Sequence, residues 1–387
     1  MTTRTRLMVL AVTTPLVGFA VIGGLLGRAS AGEGAYRHLQ LFDDVMGLIT
    51  SNYVEPVEVD KVMDGAMRGL AEGLDADSAF LTAAQVADLE KGGEGEADIG
   101  LELTRQYYLR VVAARDGSAA EKAGLRTGDY VRAIDGKPTR TMSAPEGMRM
   151  LRGAAGTTVK LTVIRGNAAE PHELSLARER RASTDVTGRL ERPGIGYVRV
   201  KGFGPKVVQE LASEIADLKK KGASKLVVDV RNTAEGDPMR GLDAARLFVA
   251  TGTLGSREER GAPAVAIAAK AGDGKELVPI ALLTTAGTAG AAELFAAALK
   301  DNKRAELFGE RTLGRAGVQH LVKLPDGSGL WMTYARFLSP AGKPVHGAGV
   351  EPTVEVAEPD VEFGAPAPTS DPILEKALEQ FGQRAAA

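Results

Sequence analysis

VPIALLTTAGTAGAAELFAAALK, residues 278–300, passes from one regular element to another within a single turn. Val278-Pro279-Ile280-Ala281-Leu282-Leu283 reads as a strand, and Ala291 to Lys300 reads as a helix fed by it. The junction, Thr284 to Ala291, contains glycine, follows a strand and opens a helix, as phosphate loops do. It carries neither G-x-x-x-x-G-K-[ST] nor G-x-G-x-x-G, which argues against nucleotide binding. The same alternation continues on both sides. Ile195-Gly196-Tyr197-Val198-Arg199-Val200 is a strand, and Val207, Val208, Leu211, Ile215 and Leu218 recur at helical steps. Leu226-Val227-Val228-Asp229-Val230 is a buried strand, Met239 to Val249 a helix, and Val265-Ala266-Ile267-Ala268 another strand. Strands and helices in this order imply a mixed sheet covered by helices. Leu321 to Phe337 is β-rich around the turn Pro325-Asp326-Gly327-Ser328-Gly329. Beyond Val356 a Pro/Ala linker leads to an amphipathic helix, Ile373 to Phe381.

Upstream, residues 97 to 180 have a different character. Ile99-Gly100-Leu101-Glu102-Leu103 and Leu109 to Val112 read as strands. Ser118 to Leu125 is a short helix closed by Gly124, and Gly128 to Gly136 is turn, strand and turn. Gly156-Thr157 introduces the strand Val159 to Val163. The ordered Ala-Gly-Leu, Gly-Asp and Ile-Asp-Gly elements resemble a PDZ domain in the permuted form common in bacterial envelope proteases. The resemblance implies a peptide added as a strand to an open sheet edge. Its terminal carboxylate would be held by backbone amides of the turn Asp98-Ile99-Gly100-Leu101, with Glu102 and Leu103 continuing the binding strand.

Further upstream, Leu39, Phe42, Met46 and Ile49 form a helical stripe between Tyr36 and Tyr53. Val62, Met63, Ala66, Met67, Leu70 and Leu74 continue it in a second helix, before a glycine connector at 92–95. Arg4 and Arg6 precede an uncharged stretch, Leu7 to Leu26, whose 20 residues would span about 30 Å as a helix, the thickness of a bilayer core. Ala29-Ser30-Ala31 also resembles a signal-peptide cleavage site. Either way the chain is expected outside the cytoplasm, in the cell envelope, secreted or anchored to the membrane through this segment.

Composition narrows the chemistry. The chain has 387 residues, 44% hydrophobic, and its 48 Lys and Arg against 50 Asp and Glu leave a net charge of −2. That balance argues against a nucleic-acid partner; the run Lys219-Lys220-Lys221 is expected to end a solvated helix. There is no cysteine, which excludes disulfides, thiolate catalysis and cysteine-ligated zinc. His38, His172, His320 and His346 show no ligand spacing, so neither a metal nor another cofactor is expected.

Four segments of the larger domain resemble the carboxyl-terminal processing peptidases, or tail-specific proteases. They are Asp229-Val230-Arg231-Asn232, Thr288-Ala289-Gly290-Ala291-Ala292-Glu293, Gly314-Arg315-Ala316-Gly317-Val318-Gln319 and Ser339-Pro340-Ala341-Gly342-Lys343. The resemblance implies an α/β (α+β mixed) chain. Its parts would be a signal peptide or anchor at 1–31, an N-terminal helical segment at 34–92 and a PDZ domain at 97–180. A tail-specific-protease-like, crotonase-like core follows at 185–357, then a linker and C-terminal helix at 358–387.

It also implies peptide-bond cleavage by a serine nucleophile and a lysine base, the lysine oriented by a glutamine. Carried onto this chain, the nucleophile position is Gly290, the base position is Arg315 and the orienting position is Gln319. A hydrogen side chain cannot attack, and a guanidinium does not give up its charge to become a base. The family's Asn-Pro-Gly-Gly oxyanion loop corresponds to Thr233-Ala234-Glu235-Gly236, where Glu235 is expected to bring negative charge toward the oxyanion position. The sequence therefore points to a pseudoprotease or scaffold that binds peptides or carboxyl-terminal protein segments through its PDZ domain. The alternatives are an active serine-type endopeptidase using non-standard residues, with Thr288 as stand-in nucleophile, and a subunit of an active protease paralogue.

Overall fold

The computed structural model describes residues 37–91, 95–166, 170–181, 184–366 and 368–383. The signal or anchor segment expected at 1–31, and Gly92-Gly93-Glu94 of the connector, lie outside the described residues. The chain divides into two units, Met1–Met67 and Arg68–Ala387. The described part of the first is a helix over 37–52 and the beginning of a second helix, Val59–Glu72. Of the stripe expected on the first helix, Leu39 and Phe42 are exposed, while Met46 and Ile49 are partly buried. The second helix buries only Ala71, so Leu70, expected on its packed face, points into solvent.

The core of the second unit is a six-stranded sheet. Its order is Val186–Arg192, Ile195–Val200, Lys225–Asp229, Ile280–Thr284, Ala305–Gly309 and Val354–Glu355. The first pair is antiparallel and every later pair is parallel. Because side chains alternate across a strand, the central strands Ile195–Val200, Lys225–Asp229 and Ile280–Thr284 serve two apolar layers. Val198, Val200, Leu226, Val228 and Leu282 meet the helices Val207–Lys220, Pro238–Ala245 and Ala291–Asp301. Tyr197, Val227, Ala281 and Leu283 face the other way, where Ile373, Ala377, Leu378 and Phe381 of the helix Pro372–Gln383 cover them. Burial on both faces explains why these strands lack a polar side.

The Asp229-Val230-Arg231-Asn232 segment ties these layers together. Buried Asp229 accepts a bond from the Tyr197 hydroxyl at 2.6 Å and from the Arg231 guanidinium at 2.6 Å. Arg231 reaches on to both carboxylate oxygens of Asp371 at 2.8 Å, just ahead of the last helix. Arg199 lies between Asp116 and the Thr233 hydroxyl. These charges are buried but paired, the condition under which burial is tolerated.

A second, antiparallel sheet joins Ala79–Leu81, Gly329–Leu338, Thr253–Glu259 and Val265–Ala268, with Gly317–Lys323 also paired to Gly329–Leu338. The PDZ-like body has its own antiparallel sheet, in the order Leu101–Gln106, Tyr108–Ala114, Tyr130–Ile134, Thr158–Ile164 and His172–Ala177. The helix Ala144–Leu151 closes it, capped by the Ser143 side chain. The expected helix from Ser118 is shorter, Ala119–Lys122, and the one expected from Met239 to Val249 runs over Pro238–Ala245. Among the described residues no helix is long and apolar enough to cross a membrane.

Packing of the last helix yields a stability prediction. Ile373 is fully buried against the sheet, so Ile373→Ala is expected to cost about 2–5 kcal/mol. Urea unfolding monitored by circular dichroism measures it, and a loss below about 1 kcal/mol would contradict the packing described.

Candidate functional site

The strand Ile280–Thr284 turns through Thr285–Gly290 into the helix Ala291–Asp301. The turn is fastened by Glu293, a carboxylate with no solvent exposure. It accepts from the Gly290 amide at 3.0 Å, the Gly314 amide at 2.5 Å, the Arg315 amide at 2.7 Å and the Thr312 hydroxyl. Burial raises its pKa above the ordinary carboxylate value, and these four donors pull the other way. One side chain thereby sets the helix start against the segment that carries Arg315.

Gly290 has φ +61° and ψ −117°, a conformation that side chains rarely adopt. Space is not the obstacle to a larger residue. A Cβ placed there would meet only the carbonyl oxygens of Arg315 at 3.6 Å and Ala234 at 3.9 Å. The adjoining Ala289 is buried against Val112 and Ala113 of the PDZ-like sheet. The nucleophile position therefore lies beside the contact between the two bodies.

Arg315 does not face Gln319 as the resemblance would have its lysine do. Its Nε lies 2.9 Å from Asp77 and its Nη1 3.5 Å from Glu102. Burial works against its charge, but the two carboxylates raise its pKa above the ordinary arginine value. Gln319 instead donates to the Thr333 hydroxyl at 3.2 Å. The side chains of Arg315 and Gln319 thus have different direct partners, Asp77 and Glu102 for one and Thr333 for the other. Thr288, the stand-in nucleophile, is fully buried; its hydroxyl donates to the Val230 carbonyl at 2.9 Å and accepts from the Thr285 amide at 3.0 Å.

Glu235 departs from expectation as well. Its carboxylate is drawn to Arg115 of the PDZ-like body at 2.8 Å and to Arg181 at 2.7 Å. The charge expected at the oxyanion position is neutralised by this pair of guanidiniums. Arg115 also holds Asp98 at 2.6 Å, linking the oxyanion-loop position to the expected carboxylate turn.

Of the expected peptide-binding residues, Ile99, Leu101 and Leu103 put their side chains into the PDZ-like core. They can offer a ligand only backbone. Gly100 has φ +74°, and a Cβ there would lie 2.2 Å from that of Ser118. Asp98 and Glu102 are engaged as described.

Asp75 is a site-adjacent residue to which the sequence assigned no role. Burial would raise its pKa, yet bonds from His346, Thr333, Ser78 and the Asp77 amide outweigh burial and hold it well below the carboxylate range. Among the described residues no group of His, Asp and Glu is arranged to hold a metal ion.

Comparison with known proteins places the two bodies in known families. The model of peptidase family S41 matches residues 194–356, and that of the PDZ domain matches residues 110–165. The chain is 32% identical over 303 residues to a carboxyl-terminal-processing protease of Synechocystis sp., covering 76% of this chain and 71% of that one. A carboxy-terminal-processing protease of Bartonella bacilliformis is 30% identical over 334 residues, covering 84% and 77%. Among solved structures, a photosystem II D1 C-terminal processing protease aligns with a TM-score of 0.68 at 30% identity, over 80% of this chain and 85% of that one.

The Glu102–Arg315 contact has a pH signature. Burial pushes the Glu102 carboxyl up to about 7, against the pull of Arg315 and with the help of nearby Glu235. The folded state then holds a proton that the unfolded state has lost, so this residue makes stability fall as pH rises from the ordinary carboxylate range through about 7. Glu102→Gln removes that component. Urea midpoints at pH 5, 6, 7 and 8 should show the variant gaining on the native chain toward high pH; parallel curves would contradict the assignment.

Proposed function

The chain belongs to peptidase family S41, and we propose that within it this protein binds peptide segments without cutting them. The observation that carries the proposal is the state of the two reacting positions. Gly290 offers no attacking atom, and the Arg315 guanidinium keeps its charge, paired with Asp77 and with the Glu102 carboxyl beside it, rather than being poised to take a proton. The buried, twice-bonded hydroxyl of Thr288 supports the same reading, since it has no path to a substrate carbonyl.

The retained PDZ domain supplies the binding surface, an edge strand to which an extended segment can add. The segments bound would be those of exported proteins, and the inert domain beside the PDZ domain would hold or shield them. Residues 1–31 would carry the chain across the inner membrane and either stay as an anchor or be removed, placing the folded portion in the envelope.

Purified protein incubated with casein or a peptide pool is expected to leave both intact; turnover abolished by Thr288→Ala would overturn the proposal. Repair is a second measurement. Gly290→Ser fits sterically at a backbone cost of about 1–3 kcal/mol. A lysine introduced by Arg315→Lys would sit among the same acids, which keep it protonated. Any hydrolysis by the double variant is therefore expected to be slow at pH 7 and to increase with pH as the lysine loses its proton.

A further inference from the structure

The carboxylate turn of the PDZ domain is already occupied, and its occupant is part of the chain. The Gly100 amide, central to that turn, donates to Asp98 Oδ1 at 2.7 Å. The same oxygen lies 2.6 Å from Arg115 Nη2, and Oδ2 lies 3.5 Å from Arg115 Nη1. Arg115 returns the contact through its backbone, donating to the Gly100 carbonyl at 2.7 Å. With Gly100 pressed against Ser118, the turn has little room to open. An amide donor and a guanidinium, the groups that would capture a terminal carboxylate, are thus directed at Asp98, three positions before the groove strand. Glu235 takes the other arm of Arg115 at 2.8 Å, so this guanidinium has carboxylates on both sides.

The edge itself remains available. Leu101–Gln106 is the terminal strand of its sheet, and among the described residues no strand pairs with its outer edge. Its alternate side chains Leu101 and Leu103 are buried, which leaves main-chain groups as the means of recognition. A segment entering this edge from the interior of a protein pairs with it without bringing a second carboxylate beside Asp98.

Building on the peptide-binding reading above, we infer that this PDZ domain recognises internal or blocked extended segments, not free carboxyl termini, and that Asp98, held by Arg115, is the residue that excludes them. Asp98 acts as a built-in substitute for the ligand's terminal carboxylate. Its removal would free the Gly100 amide and the Nη2 arm of Arg115, while Nη1 stays with Glu235, converting the turn into a receptor for the end of a chain.

The test uses the full chain and a set of ten-residue peptides with apolar last residues, each made as free acid and as amide, with affinities read by fluorescence anisotropy. The native protein is expected to bind the amides at least as tightly as the acids. Asp98→Ala should shift the acid-to-amide preference toward the acid by about tenfold, the scale of one charge-assisted hydrogen bond. Asp98→Asn keeps an acceptor for the Gly100 amide while removing the charge, and should shift it in the same direction by less. It also guards against a folding defect, because amide binding should be retained. Native protein that favours acids threefold or more, or an Asp98→Ala variant with an unchanged ratio, overturns the inference while leaving peptide binding intact. Failure of all three forms to bind any peptide overturns the peptide-binding reading, and this inference with it.

Discussion

A single buried carboxylate organises the centre of this molecule. Glu293 gathers two amides from the Gly314–Arg315 segment, one from Gly290 and the hydroxyl of Thr312. Three of its four partners are backbone groups, so the arrangement is indifferent to what those residues carry as side chains. An acid in the first turn of a helix also complements the helix dipole, which offsets part of the cost of burying it. The backbone frame of a peptidase site is therefore held by a residue that takes no part in attack or proton transfer.

That separation explains how the frame persists while the side chains diverge. At Gly290 the frame demands a positive φ, and glycine meets that demand with less strain than a serine would. At position 315 the amide is fixed by Glu293 but the side chain is free to choose partners. A long guanidinium with several donors reaches Asp77 and Glu102, which a shorter neutral amine would not neutralise as effectively. The result is a charge cluster joining the protease-like core, the Asp75–Ser78 turn and the PDZ domain. Arg115 makes a parallel connection between Asp98 and Glu235. Arg315 and Glu235 both end in ion pairs to residues of the PDZ domain, Glu102 and Arg115.

How much of this could be read from sequence follows from the range of the forces involved. The strands around Val228 and Leu282 and the helix after Gly290 announce themselves through apolar runs and helical spacing, and the structure places them there. The helix Ala144–Leu151 escaped because Pro145 and Gly147 weaken its pattern, although Ser143 followed by Glu146 three positions later was a usable start signal. Thr253–Glu259 has few apolar residues and pairs through its backbone, and Ala305–Gly309 is short and carries a glutamate. The site was legible as positions but not as contacts. Arg315 and Asp77 are 238 residues apart, and Arg115 and Glu235 are 120 apart. No local periodicity reports such pairs. Glu235 shows the consequence: read locally it was a charge at the oxyanion position, whereas the fold surrounds it with Arg115 and Arg181.

The two clusters also constrain what the PDZ domain can do. A strand whose Glu102 is tied to the core, and whose preceding turn is tied through Arg115 to Glu235, cannot be displaced as a free module without exposing several partly buried charges. Each charge left unpaired in a partly dry environment costs far more than a surface ion pair returns. On the peptide-binding reading proposed above, a ligand would add along the backbone edge of Leu101–Gln106 with these pairs intact. The turn at Gly290 and the edge strand Leu101–Gln106 are thereby held in one framework of ion pairs, through Arg315 on one side and Arg115 on the other.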